Sequence, residues 1–312
     1  MPKCIGSRQE GRSTRVTAMK ALVTGAAGFA GRWLTAHLAR CGDEVVALPS
    51  SVDIRNREAV LSSLAHLQVD VCFHLAALSH VGQSWESPHL YYETNVLGTA
   101  HLCEALDRME KPPTLIAVSS SEVYGRTLGP DALTEDDPVR PVSPYATSKA
   151  ASEYVALQRY WGRGFASVVV RSFNHTGPGQ STGFVVPAFA KRLIEAKQRH
   201  VRELPVGNLE PRRDIGDVRD VVAAYREVAL KGVAGEIYNV CTGYAPSMAQ
   251  IVESLAEIVG VEVETVRDAA LVRAVDVPVI VGSADKLFQA TGFRAAYSLH
   301  ETLVAVVESL TP

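Results

Sequence analysis

From Lys20 onward, short apolar runs alternate with segments whose apolar residues recur every three or four positions. Runs of the first kind suit buried strands, and the second kind suits helices with one apolar face. Ala21-Leu22-Val23-Thr24 reads as a strand ending at Gly25, and Ala30 to Arg40 as a helix stopping near Gly42. Glu44 to Leu48, Val71 to Leu75, Thr114 to Val118 and Ala166 to Arg171 read as further strands, with helices expected at 56–67, 92–109 and 145–161. A strand apolar on both sides must be covered on both sides, so this alternation indicates a parallel sheet between two helical layers. The expected class is α/β: a doubly wound, Rossmann-type parallel sheet with a smaller α/β substrate lobe.

Past Arg171 the alternation weakens. Asn174-His175-Thr176-Gly177-Pro178-Gly179-Gln180 has loop composition, followed by an expected helix at 186–199, a strand at 236–240, a helix at 247–259 and short strands at 262–266 and 278–281. The implied organisation is a dinucleotide-binding domain of residues 19–172 plus about 215–243. A substrate lobe of about 173–214 and 244–312 leaves and rejoins the main sheet. Residues 1–18 carry Lys3, Arg8, Arg12 and Arg15 against Glu10 and lack the apolar core of a signal peptide. They read as a disordered extension or a misplaced start before Met19, and are set aside.

Composition narrows the class without choosing a function. The 312 residues allow one large α/β domain or two unequal lobes. A formal net charge of -3 argues against a general binder of nucleic acid or anionic membrane. No apolar run approaches the ~18 residues of a membrane span. Five scattered cysteines without a Cys-x-x-Cys pair suggest reduced thiols and a cytoplasmic setting. His74, His80 and His175 lack metal-ligand spacing and read as hydrogen-bonding loop residues, so no metal is expected.

Three stretches carry candidate chemistry. Gly25-Ala26-Ala27-Gly28-Phe29-Ala30-Gly31 follows the first strand and opens a helix, where glycines permit a tight turn and close approach of a pyrophosphate to the helix N-terminus. An acid for an adenosine ribose is missing at the end of the second strand, which instead runs Pro49-Ser50-Ser51. Serines there, with Arg32 or Arg55 to neutralise a 2′-phosphate, argue for NADP(H) and leave NAD(H) open. Asp53 is a candidate for the adenine amine or an ordinary turn residue. In the second stretch, Ser120 ends a strand. In the third, Tyr145 and Lys149 lie four apart on one helix face, after Ser143 and Pro144 as N-cap and first-turn proline. The helix dipole and Lys149 are expected to lower the Tyr145 phenol from its usual ~10. Ser120 would then hold a carbonyl oxygen, Tyr145 protonate it and a nicotinamide deliver hydride.

These motifs resemble the extended short-chain dehydrogenase/reductases of the sugar-nucleotide branch, from about residue 19 to the end. Phe73-His74-Leu75-Ala76-Ala77, Thr94-Asn95-Val96-Leu97-Gly98-Thr99 and Ser143-Pro144-Tyr145 are shared with the whole branch. Arg171-Ser172-Phe173-Asn174-His175-Thr176-Gly177-Pro178-Gly179-Gln180-Ser181, Gly183-Phe184-Val185, Gly207-Asn208-Leu209-Glu210 and Arg213-Asp214 resemble the GDP-4-dehydro-6-deoxy-D-mannose reductases within it.

The resemblance implies cofactor contacts from Ile54, Leu75, Ala76, Ala77, Asn95 and Phe173. It implies contacts to a GDP-linked sugar from Ser79, Ser121, Asn174, Val185, Lys191, Asn208, Arg213 and Arg273. Arg213 and Arg273 suit a diphosphate, though either also suits a surface ion pair. Glu122 occupies the place where dehydratases keep a base. The implied activity is NADPH-dependent reduction of a GDP-4-keto-6-deoxyhexose. A 4,6-dehydratase or epimerase with retained cofactor is the alternative, and a non-catalytic dinucleotide-binding regulator a remote third. The resemblance also implies a homodimer formed through helices 92–109 and 145–161.

Overall fold

The computed structural model describes residues 18–126, 129, 131–271 and 277–311. Residues 1–17 of the expected extension at 1–18, and Arg273, lie outside the described residues. Strand β1 (Lys20–Thr24), helix α1 (Phe29–Arg40), β2 (Glu44–Ala47), α2 (Arg57–Leu64) and β3 (Val71–His74) follow the expected alternation. Helices α3 (Val81–Glu86) and α4 (Pro88–Tyr91) then lead through a π-helical turn, Tyr92–Leu97, into α5 (Gly98–Asp107).

The single helix expected at 92–109 is therefore corrected: the helical run starts earlier and is widened around Asn95. That side chain is buried, accepts from the Leu78 backbone N–H (2.8 Å), and donates to the Leu78 carbonyl (3.0 Å) and Ser148 Oγ (2.8 Å). Extra turns of this kind persist where a side chain is held inward by such contacts.

The chain continues through β4 (Thr114–Ser120), a 3₁₀ turn at Ser121–Tyr124, α6 (Pro144–Arg163), β5 (Ser167–Ser172), β6 (Asn174–Thr176), α7 (Val185–Arg199), β7 (Glu203–Val206), β8 (Arg212–Arg213), β9 (Ile215–Asp217), α8 (Val218–Lys231), β10 (Ile237–Val240), α9 (Met248–Val259), β11 (Glu264–Arg267), β12 (Val279–Ile280), α10 (Asp285–Thr291) and α11 (Leu299–Leu310). The segment read as plain loop at 174–180 holds β6, which pairs with β9 in parallel.

Six strands form one parallel sheet in the order β10-β5-β4-β3-β1-β2. Leu34 and Leu38 of α1, Val218 to Val228 of α8 and Leu287 of α10 bury one face. Val60 and Leu64 of α2, Leu102 and Leu106 of α5 and Leu157 of α6 bury the other. A separate core joins α7, α9 and α11 through Phe189, Leu193, Ile251, Leu255, Leu303 and Val306. Strand order reverses at β1, which has β2 on one side and β3 on the other. The loops leaving β1 and β3 diverge at that point and open the crevice where such sheets take ligands.

Candidate active site

The crevice floor is a glycine cradle. Gly25 sits at φ 70°, and a Cβ there would lie 2.7 Å from the Ala76 backbone nitrogen. A Cβ on Gly31 would lie 2.1 Å from the Gly25 carbonyl oxygen. Gly28 starts α1 without any side-chain cap, which leaves first-turn N–H groups for an anion. Behind the cradle, Thr24 Oγ1 accepts from the Ala76 N–H (3.2 Å) and meets His74 Nδ1 (2.8 Å), whose Nε2 meets Thr99 Oγ1 (2.9 Å). Burial lowers His74 to about 3, so it is neutral and serves as a brace. Two positions where a Cβ cannot fit without displacing backbone, at an uncapped helix start, suit a dinucleotide pyrophosphate.

On the adenosine side no acid follows β2, and Ser50 and Ser51 are exposed. Arg32 is exposed beside the cradle, donating to the Ala27 (2.9 Å) and Gly179 (3.3 Å) carbonyls. Asp53 and Arg55 pair with each other (Nη2 to Oδ2, 2.5 Å), and those bonds hold the Asp53 carboxyl below its ordinary range. The Asp53 carboxylate thus has a partner two residues away. Ile54 is buried against Gly98. Asn95, through the bonds described above, braces the 75–80 loop against α6.

At the chemical end, Ser120 closes β4 and its Oγ accepts from the Glu122 N–H (3.2 Å). Ser143 caps α6 by accepting from the Ala146 N–H (3.1 Å), with Pro144 in the first turn. This start places Tyr145 beside Ser120, close enough for the serine hydroxyl to act on the phenol. The Tyr91 ring packs edge-on at 6.4 Å.

Burial pushes the Tyr145 phenol up to about 12, while the Ser120 hydroxyl opposes the rise and the Glu122 charge adds to it. The expected lowering by the helix dipole and Lys149 is therefore corrected: desolvation of a phenolate is the largest influence on this group and acts upward. Lys149 is buried too, and its ammonium donates to the Val118 carbonyl. Burial lowers it to about 8, with Glu153 acting the other way. A phenol that keeps its proton at neutral pH, next to a hydroxyl and a lysine, is equipped to donate that proton. Ser121 Oγ is buried and has no hydrogen-bond partner among the described residues.

The far wall is tied to the cradle. His175 stacks on Phe29 (centroids 6.1 Å apart), and Trp33 Nε1 donates to the Pro178 carbonyl (3.1 Å). Phe173 is buried against Tyr124, and Asn174 is half-buried in β6. Val185 starts α7 beside Phe184, whose ring meets His80 at 6.1 Å, with Ser79 exposed next to it. Arg213 is buried and donates to the Arg212 (3.0 Å) and Val277 (2.6 Å) carbonyls, so part of its fork is committed to backbone. Lys191 is exposed and pairs with Glu195 (3.8 Å), and exposed Asn208 accepts from the Glu210 N–H (3.2 Å). Contacts thus link the glycine turn, 75–77, Ser120, Glu122, Tyr145, Lys149 and 173–175, while the Lys191 pair is local. Sequence reasoning passed over Tyr91, Ser119, Glu153 and Arg171. Only Glu153, four residues past Lys149, leaves a signal in the sequence, that of a shared helix face.

The chain is similar to known proteins along most of its length. A profile of the family described as GDP-mannose 4,6 dehydratase matches residues 49–306. The chain is 33% identical over 291 residues to GDP-6-deoxy-D-mannose reductase of Pseudomonas aeruginosa, covering 91% of this chain and 95% of that protein. It is 31% identical to GDP-6-deoxy-D-talose 4-dehydrogenase of Aggregatibacter actinomycetemcomitans, covering 88% and 92%. Among solved structures it is similar to RMD from Pseudomonas aeruginosa complexed with NADPH, with a TM-score of 0.86, 32% identity and 94% and 99% coverage.

Proposed function

The chain belongs to the GDP-mannose 4,6-dehydratase family of extended short-chain dehydrogenase/reductases, and from that premise we propose that it is an NADPH-dependent reductase of the C4 ketone of a GDP-4-keto-6-deoxyhexose. The product is GDP-D-rhamnose when the substrate is GDP-4-dehydro-6-deoxy-D-mannose. The observation that carries the chemistry is the buried Tyr145, held protonated beside the half-buried Ser120, with buried Lys149 one helical turn on. The likeness over 91% of the chain to a GDP-6-deoxy-D-mannose reductase supports the sugar and the base.

A bound dinucleotide supplies hydride to the ketone carbon. Ser120 Oγ orients the ketone oxygen, and Tyr145 gives that oxygen its proton. Lys149, pinned to the Val118 carbonyl, stabilises the phenolate left behind. Gly25, Gly28 and Gly31 admit the pyrophosphate, with Phe29 and Ala30 turning their backbone N–H groups toward it. Ser50, Ser51 and Arg32, without a competing acid, favour the 2′-phosphate of NADP(H), and NAD(H) remains a weaker cofactor. Asn174, Ser121 and Arg213 face the sugar nucleotide.

A dehydratase acting through Glu122 is the second reading, favoured by the nearness of that carboxylate to Tyr145. NADPH absorbance with GDP-4-keto-6-deoxymannose and with GDP-mannose separates the two. Loss of NADPH matched to the keto sugar, with none on GDP-mannose, is expected. Conversion of GDP-mannose without net loss sinks the reductase reading.

The enzyme acts as a cytoplasmic homodimer. Leu97, Tyr154 and Trp161 stand exposed on the π-turn and α6, an apolar face that a second copy would cover. Cys72, Cys103 and Cys241 are free thiols, which suits a reducing compartment. None of the helices among the described residues is long and apolar enough to cross a membrane.

A further inference from the structure

We propose that Glu153 is a positioning residue of this active site: held between Ser119 and Arg171, it locks the tip of β4 onto α6 and places a negative charge beside Lys149. The inference rests on the reading of Ser120, Tyr145 and Lys149 given above.

The geometry is a buried clamp. Glu153 Oε1 accepts from Ser119 Oγ (2.5 Å) and from Arg171 Nε (3.1 Å), and Oε2 accepts from Arg171 Nη2 (2.9 Å). Ser119, Glu153 and Arg171 are all nearly inaccessible. Arg171 extends the clamp by donating to the Glu135 carbonyl (3.2 Å) and lying over the Tyr124 ring at 4.8 Å. Lys149 and Glu153 are one turn apart on α6, and they grip consecutive residues of β4, Val118 through its carbonyl and Ser119 through its hydroxyl. The next residue is Ser120. Its hydroxyl therefore hangs from a strand tip that α6 holds at two adjacent points, while Tyr145 projects from the same helix one turn earlier.

A stability role alone does not account for the charge. A buried Glu–Arg pair is an expensive way to join a helix to a strand, and apolar packing does as well or better. Here the carboxylate also opposes the burial that strips Lys149 of its proton. The other titratable groups around this point are Tyr145 on α6, His74 on β3, Arg171 on β5, and Tyr91 and Glu122 beyond Tyr145. His74 is neutral at working pH, and its proton affinity is lowered in part by Lys149 itself. Glu153 is thus the neighbour that favours the ammonium.

The test measures the charge state of Lys149 directly and turnover separately. Carbon-13 titration of the lysine side chains, with Lys149 assigned from Lys149→Met, gives its midpoint in the wild type, in Glu153→Gln and in Glu153→Asp. Glu153→Gln is expected to lower the midpoint by about one pH unit, and Glu153→Asp to restore most of it. NADPH-dependent turnover should lose its alkaline limb at correspondingly lower pH in Glu153→Gln, with KM for NADPH within about twofold. Ser119→Ala keeps the charge and removes one grip, so kcat falls severalfold and the Lys149 midpoint stays put. If Glu153→Gln fails to fold because Arg171 is left unpaired, the double variant Glu153→Gln/Arg171→Gln carries the same titration. A Lys149 midpoint unmoved in Glu153→Gln, or in the double variant where that stands in for it, overturns the proposal. A midpoint that moves while the activity profile does not supports the clamp and overturns instead the catalytic role given to Lys149.

Discussion

Gly31→Ala adds a single methyl group at the tightest point of the cofactor cradle. Its Cβ would stand 2.1 Å from the Gly25 carbonyl oxygen, 2.8 Å from Ala26 Cα and 2.9 Å from the Gly25 carbonyl carbon. Ordinary contact begins at 3.4 Å, so the closest approach is roughly 1.3 Å too short. All three atoms are backbone and none can rotate away. The first turn of α1 must therefore withdraw from the Gly25–Gly28 turn by about 1 Å, and the N–H groups meant for the pyrophosphate go with it. Overpacking of this kind costs about 1–3 kcal/mol of stability. A misplacement of about 1 Å in a positioned site costs on the order of 10²-fold, or about 2.7 kcal/mol.

The expected result is an NADPH Kd raised about 100-fold, read by fluorescence titration, with a folded protein whose melting temperature falls by a few degrees. Gly42→Ala is the control. It occupies φ 86° with nothing within 4 Å, so it should lower stability by strain and leave NADPH affinity alone. A Gly31→Ala protein that binds NADPH within threefold of wild type would refute the reasoning about the cradle.

Tyr145→Phe removes the proton donor and should lower kcat by about 10²–10⁴-fold while NADPH affinity stays within a few fold, and unchanged turnover defeats the mechanism. Arg32→Ala should raise KM for NADPH by about tenfold or more with little effect on NADH, because a bond to a charged phosphate is worth about 1.5–3 kcal/mol. An equal effect on both cofactors would remove Arg32 from the 2′-phosphate. His74 is held neutral by burial, near 3 in the folded chain against 6.5 unfolded. The unfolded state then binds the extra proton between those values, so stability falls as pH drops from 6.5 toward 3, by up to about 1.4 kcal/mol per pH unit. Urea melts at pH 7.5 and 5 should show this slope, reduced in His74→Gln, and an undiminished slope would move the effect to other groups.

Reading α6 from the sequence succeeded because its signals are local: Ser143 caps it, Pro144 opens it, and Tyr145 and Lys149 share a face by spacing alone. The glycine turn is legible for the same reason, since close approach leaves no room for a side chain wherever the partner lies. Helices α8 and α11 were not expected, although Asp217 caps the first and Ser298 with Glu301 forms a capping box on the second. The π-turn at Asn95 depends on Leu78 and Ser148, neither of which is a neighbour along the chain.

What local pattern determined, then, is the sheet, the cradle and the candidates for the reacting side chains, because periodicity, capping and glycine sterics act over a few residues. Tertiary structure decided their states. Tyr145 keeps its proton because the chain buries it, Arg213 spends part of its donors on Val277, and Asp53 answers to Arg55. Glu153 meets Ser119 and Arg171 only once β4, β5 and α6 are packed together. Protonation and partnership depend on desolvation and on distances across the fold, and those quantities exist only after the chain has closed on itself.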